Sequence, residues 1–136
     1  PGTGKTHLAI SLGLLACSRG FKVRFYTAAE LVDCLVTAQL RRRYLKMVEL
    51  LNETDLLIID ELSYLTLSRP NAELLFQVIS SRNEKASLII TSNLDFAKWT
   101  EIFGDPMLTT AVVDRVIYKS YIIDTHGPSY RQKHRL

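Results

Sequence analysis

PGTGKTH, residues 1–7, opens the chain and fits the closing part of the pattern G-x-x-x-x-G-K-[ST]. Gly4, Lys5 and Thr6 fill its last three places, so the first glycine of the pattern would fall two residues before Pro1. In such a loop the backbone N–H groups and the N-terminus of the following helix surround an anion, because unpaired amides and the helix dipole favour negative charge there. Gly2 and Gly4 are expected to permit backbone angles and a close approach that a Cβ would block. Lys5 is expected to reach the β- and γ-phosphates of a nucleotide, and the Thr6 hydroxyl to ligate Mg²⁺. A glycine turn that merely caps a helix is the competing reading, and the residues downstream decide between them.

Downstream, helical and strand-like segments alternate. Leu8, Ala9, Leu12, Leu15 and Ala16 recur at helical spacing, with Gly20 as a stop. FKVRFYT, residues 21–27, alternates Phe21, Val23 and Phe25 with Lys22 and Arg24 and reads as a strand. Thr27 and Glu30 fit a capping box that opens a helix carrying Leu31, Val32 and Leu35. DLLIID, residues 55–60, is an apolar run between acids, the pattern of a strand buried on both faces of a parallel sheet. Leu74, Leu75, Val78 and Ile79 mark another helix, and SLIITSN, residues 87–93, another buried strand. Asp105-Pro106 starts a helix expected to run to about Val116, and VIYKSYIID, residues 116–124, is expected to close the pattern as a last strand. Strict alternation of this kind predicts an α/β fold with a mostly parallel sheet.

In open parallel sheets, chemistry gathers at the carboxyl ends of the strands. Asp60 and Glu61 end one apolar run and Asn93 another. Asp60 is expected to hold Mg²⁺ through water, Glu61 to orient or deprotonate the water that attacks the γ-phosphate, and Asn93 to help position it. An Asp-Glu pair or an asparagine after a strand can equally make a turn or a cap. The phosphate-loop half upstream favours the catalytic reading of the pair.

Composition sets the frame around these motifs. With 136 residues, 47% hydrophobic and 23% charged, the chain can bury one core and is not a disordered segment. Cys17 and Cys34 match no C-x-x-C pattern and fall within helical apolar patterns, so they read as reduced core residues of a cytosolic protein. No run of eighteen apolar residues marks a membrane span. The net charge is only +3, yet Arg41, Arg42, Arg43 and Lys46 form one basic cluster and Arg131, Lys133 and Arg135 another. Interleaved with Tyr44 and Tyr130, these could track DNA phosphates, with a solvated helix face as the alternative.

PGTGKTH, LLIIDEL, IITSN, FGDP, DRV and THGPSYR in this order resemble the IstB-like ATP-binding proteins, the helper ATPases of insertion-sequence transposons. These are similar to the DnaC-type helicase loaders and belong to the AAA+ class. The resemblance covers nearly the whole chain and implies a P-loop NTPase three-layer sandwich. Residues 1–136 would form a single ATPase core domain without a helical lid, incomplete at its N-terminus because the strand that precedes the loop is missing. It implies ATP and Mg²⁺ as cofactors and a homo-oligomer on DNA that supports a DDE transposase in the cytoplasm, with no membrane partner. A DnaC-type helicase loader, or a non-catalytic DNA-binding or assembly remnant of a decayed transposon, stays open beside that reading. Carried over by position, Gly2, Thr3, Gly4, Lys5, Thr6 and His7 match the nucleotide loop. Thr6 and Asp60 match the metal site, and Glu61 and Asn93 the hydrolytic acid and the sensor. Arg115 matches the arginine that reaches a neighbouring subunit's γ-phosphate, its alternative being a salt bridge with Asp114. Arg131 is a further candidate for contact with nucleotide or DNA, and Thr27 could couple Glu61 to DNA occupancy or simply cap its helix.

Overall fold

A computed structural model describes residues 4–63, 65–82, 86–118 and 120–123. Its elements follow in the order α1 (Lys5–Ser18), β1 (Val23–Thr27), α2 (Ala28–Leu40), α3 (Tyr44–Asn52), β2 (Leu56–Asp60), α4 (Arg69–Arg82) and β3 (Ser87–Ile90). A short 3-10 turn (Phe96–Lys98), α5 (Thr100–Phe103) and α6 (Pro106–Ile117) complete them. The described strands form one parallel sheet in the order β1-β2-β3, with Val23 opposite Leu56 and Leu56 opposite Ser87. β2 is buried along its whole length, as a central strand covered on both faces must be.

Alternation along β2 separates two apolar layers. Leu57 and Ile59 point into the larger one, which α2, α4, α5 and α6 fill with Leu31, Leu35, Leu75, Ile79, Phe103 and Val112. Leu56 and Ile58 point the other way and meet α1 through Ala9. The α1 stripe expected from the leucines is not the one that docks: Leu8, Leu12 and Leu15 are exposed, whereas Ala9 and Gly13 are buried. A Cβ on Gly13 would lie 3.0 Å from Ile58 Cδ1, so small residues set the close approach of this helix to the sheet. Helical phase likewise leaves Cys17 and Cys34 exposed, which corrects their reading as core residues.

Local signals account for two of the helix starts. Thr27 Oγ1 accepts from Glu30 N while Glu30 Oε1 accepts from Thr27 N, the reciprocal capping box at the head of α2. The Thr27 backbone N–H, helped by the Thr27 hydroxyl, holds the Glu30 carboxyl below the usual glutamate range. Asp105 Oδ2 accepts from Leu108 N, and Pro106 occupies the first turn of α6. The strand expected over residues 116–124 does not form among the described residues. Val116 and Ile117 belong to α6, Tyr118 N still donates to Asp114 O, and residues 120–123 are irregular and exposed. A β-strand needs a neighbouring ladder to satisfy its amides, and no described strand lies beside this segment. Among the described residues no helix is long and apolar enough to cross a membrane.

A buried cation ties the sheet's amino-terminal edge together. Arg82, at the end of α4, is 3% exposed. It donates to Leu51 O at 2.7 Å, to Asp55 O at 3.2 Å and to Ser87 O at 2.8 Å, joining the end of α3 to the approaches of β2 and β3. Burial pushes its guanidinium pKa down, and the nearby Asp55 partly offsets this. Arg82→Ala would leave three carbonyls without this donor and is expected to cost about 3 kcal/mol of stability. A urea unfolding free energy within about 0.5 kcal/mol of the parent would show that water replaces the guanidinium at no cost.

Candidate nucleotide and phosphate site

The first turn of α1, the end of β2 and the segment after β3 meet at the carboxyl edge of the sheet. α1 is a 14-residue helix whose N-cap, Gly4, supplies no side-chain hydrogen bond, and no acidic residue occupies its first turn. Among the described residues no side chain caps its leading amides, which is the condition for holding an anion. Gly4 lies at φ −104°, an angle open to any residue, so conformational freedom is not what requires glycine there. A Cβ on it would meet no atom within 4 Å, so the space beside it is open to a ligand. Gly2 and Thr3 lie outside the described residues, and His7 is exposed on α1.

Lys5 Nζ donates to Asn93 Oδ1 at 2.7 Å, a contact across 88 residues of sequence. Thr6 Oγ1 lies 3.1 Å from both carboxylate oxygens of Asp60. Asp60 ends β2 and is only 2% exposed, whereas Glu61 beyond it is exposed. Glu61 has φ +59°, a left-handed conformation that costs a non-glycine residue roughly 1–2 kcal/mol. Lys5, Thr6, Glu61, Thr91, Ser92 and Asn93 line one small open pocket. Thr6 and Asp60 offer hard oxygen donors of the kind Mg²⁺ takes alongside phosphate and water, so the residues present fit that ion.

A hydroxyl network that the motifs did not reveal surrounds these groups. Thr91 Oγ1 donates to Asp60 Oδ1 at 2.5 Å and accepts from Glu61 N at 2.9 Å. Ser63 Oγ accepts from Asn93 N at 2.6 Å and sits 3.1 Å from Ser92 Oγ. Ser92 Oγ in turn bonds Leu62 O. A hydroxyl carries a single hydrogen, so Ser63 is the donor in the serine pair. The only sequence signal for this network is a pair of hydroxyl-rich strand ends, Ser63 after one acid pair and Thr91-Ser92 before one asparagine.

Other candidates lie apart from this pocket. Arg41, Arg42, Arg43 and Lys46 are exposed at the junction of α2 and α3. They lie beyond the far end of α2, roughly 20 Å along the helix from Thr27, which pairs with Asp60. Tyr44 is not free to stack on a base from there: it is half-buried, and its hydroxyl donates to Gln77 Oε1 at 2.9 Å. Thr27 performs the capping role. Arg115 is exposed in the last turn of α6, does not line the pocket and forms no ion pair among the described residues, Asp114 included. Adjacent helical residues do not face one another, which explains why that pair does not form. Arg131 lies outside the described residues.

The fold is that of AAA+ P-loop proteins. AMPPCP-bound DnaA from Aquifex aeolicus superposes with a TM-score of 0.72 at 21% identity, over 83% of this chain and 35% of that one. The DnaC helicase loader superposes with a TM-score of 0.68 at 22% identity, over 85% of this chain and 70% of that one. Sequence likeness is closer. A Geobacillus stearothermophilus protein named for ATP binding in insertion sequence IS5376 is 45% identical over 135 residues, covering 99% of this chain and 54% of the relative. Its counterpart in insertion sequence IS21 of Pseudomonas aeruginosa is 42% identical, over 99% of this chain and 51% of the relative. The chain thus spans about half the length of the curated relatives it matches. The family model described as IstB-like ATP binding protein matches residues 1–136, and the chain belongs to the IstB-like ATP-binding proteins.

Proposed function

We propose that this chain is the ATP-binding and ATP-hydrolysing core of a transposition helper protein, which assembles on DNA as a homo-oligomer and supports a DDE transposase in the cytoplasm. The observation that carries the hydrolytic part is the convergence of Lys5, Thr6, Asp60, Glu61 and Asn93, drawn from three separate segments, at an uncapped helix N-terminus. The helper part rests on relatives named as ATP-binding proteins of insertion sequences.

In this reading the leading amides of α1 and the Lys5 ammonium bind the phosphates. Lys5 exchanges its contact with Asn93 for a phosphate oxygen, which frees the Asn93 amide to orient the attacking water. Glu61 takes the proton from that water. Thr6 and Asp60 would hold Mg²⁺, which when bound neutralises charge on the phosphates. The reading is tested by titrating the purified protein with ATP in the presence and absence of Mg²⁺ and measuring hydrolysis with and without duplex DNA. No binding, or binding with no turnover under either condition, would overturn it. Capture of a hexameric helicase in preference to a DDE transposase would move the partner assignment to helicase loading.

The Arg41, Arg42, Arg43 and Lys46 cluster is proposed as the DNA-facing part. Replacing all of these with alanine should weaken binding to every duplex sequence alike, and should lower the slope of log affinity against log salt by about 0.9 for each phosphate left unneutralised. An unchanged slope would return the cluster to the role of a solvated surface.

A further inference from the structure

β2 and β3 pair as a ladder only as far as Ile59 and Ile90, yet the segments beyond them stay joined. Backbone bonds from Thr91 N to Ile59 O at 3.0 Å and from Leu62 N to Thr91 O at 2.8 Å carry the pairing one step further. From there the link passes to side chains. Among the described residues, the hydroxyl of Thr91 is the side-chain group that touches both acids of the site at once. It gives its hydrogen to the Asp60 carboxylate and receives the Glu61 amide, at 2.5 and 2.9 Å. Both bonds use capacity that a threonine hydroxyl has and a valine lacks. The Glu61 amide is where restraint matters, since that residue holds a left-handed backbone angle which its own side chain disfavours.

We propose that Thr91 is a positioning residue for ATP hydrolysis, its hydroxyl clamping the backbone of Glu61 in the turn that aims the carboxylate at the pocket while steadying the Asp60 carboxylate beside Thr6. The proposal rests on the ATPase reading above. It assigns Thr91 no contact with nucleotide phosphates: Lys5, Thr6 and the α1 amides bind the ligand, and Thr91 acts through the acids. Its loss should therefore appear in kcat rather than in nucleotide affinity. The hydroxyls of Ser63 and Ser92 run in parallel, joining Leu62 O and Asn93 N across the same gap. They set the sensor side of the pocket, as Thr91 sets the acid side.

Thr91→Val keeps the shape and β-branching of the side chain and removes only the hydroxyl. Outer partners that orient functional ligands typically carry 10- to 100-fold of activity, and kcat for ATP should fall by about that factor. The affinity for AMPPCP measured without Mg²⁺ should stay within about threefold of the parent, since that depends on Lys5 and α1 and not on the Asp60 carboxylate. Thr91→Ser retains the hydroxyl and should restore kcat to within about threefold. Amide hydrogen exchange supplies a readout independent of turnover: the Glu61 amide should be protected in the parent and in Thr91→Ser, and should exchange at least about tenfold faster in Thr91→Val. Thr91→Ala lacks the same hydroxyl, and whichever of the two variants retains the parent's unfolding transition is the one compared.

Equal kcat in the parent and in the hydroxyl-free variant, or a Thr91→Ser protein as slow as Thr91→Val, would overturn the proposal and leave the ATPase reading intact. So would faster Glu61 exchange without loss of kcat, since the bond would then exist without a task. Failure of the parent itself to hydrolyse ATP would end the ATPase reading and take this inference with it.

Discussion

Glu61→Gln is expected to lower ATP turnover by about 10²- to 10⁴-fold, the usual share of a general base, while nucleotide affinity stays close to that of the parent. Glutamine keeps the size of the side chain and the backbone amide bonded to Thr91, so the turn after β2 has no reason to rearrange. What disappears is the capacity to accept a proton from water in the pocket. The exposure of Glu61 beside Lys5, Thr6 and Asn93 suits it to that task, whereas the burial of Asp60 beneath Thr6 and Thr91 suits it to holding an ion. Lys5→Ala provides the contrast. It removes the ammonium that meets phosphates in the ground state, so its principal effect falls on ATP affinity. Steady-state turnover and equilibrium titration with AMPPCP, run on both variants, separate the two roles. Normal turnover in Glu61→Gln would remove Glu61 from the chemistry.

Much of this site was legible in the sequence because each part has a strong local signal. The loop residues Gly4, Lys5 and Thr6 carry their own spacing, and the apolar run that becomes β2 delivers Asp60 and Glu61 to a strand end where a parallel sheet collects its chemistry. The capping box at Thr27 and Glu30 and the Asp105-Pro106 start are equally local. What escaped depends on partners that no local pattern encodes. Periodicity finds the leucines of α1, but the face that docks is chosen by how close a helix can come to Ile58 and Val23, and Ala9 and Gly13 win that choice. The segment from Val116 has strand-like composition, yet a strand exists only beside another ladder, and the amides of Ile117 and Tyr118 go to the helix instead. α3 follows directly on a run of arginines whose charge masks the short apolar period of Tyr44, Met47 and Leu51, its packed face. Thr91 falls in sequence within the strand-like run SLIITSN and Ser63 carries no signal of its own, and only the register of β2 against β3 brings their hydroxyls to Asp60, Glu61 and Asn93.

Arg115→Ala is expected to cut turnover of the assembled protein by roughly a thousandfold, the scale of an arginine supplied to a phosphoryl group across an interface, and to leave the nucleotide affinity of the isolated subunit nearly unchanged. Such a role is proposed from the position of Arg115 within one chain. Arg115 is exposed, does not line the pocket of its own subunit and has no carboxylate partner among the described residues. An unpaired cation in the last turn of a helix gains only about 0.3–1 kcal/mol from the helix dipole, so a purely structural role predicts a small loss of stability and normal turnover. Mixing experiments distinguish a group acting within one subunit from a group acting between two. Arg115→Ala subunits combined with Glu61→Gln subunits should recover part of the lost activity, because some interfaces then join an intact Glu61 to an intact Arg115. Neither variant alone can form such an interface. The recovery should rise and fall with the mixing ratio and disappear on dilution below the assembly threshold. If mixed assemblies form, as measured by co-purification of differently tagged subunits, and turnover stays at the level of the separate variants at every ratio, then Arg115 acts in its own subunit or not at all.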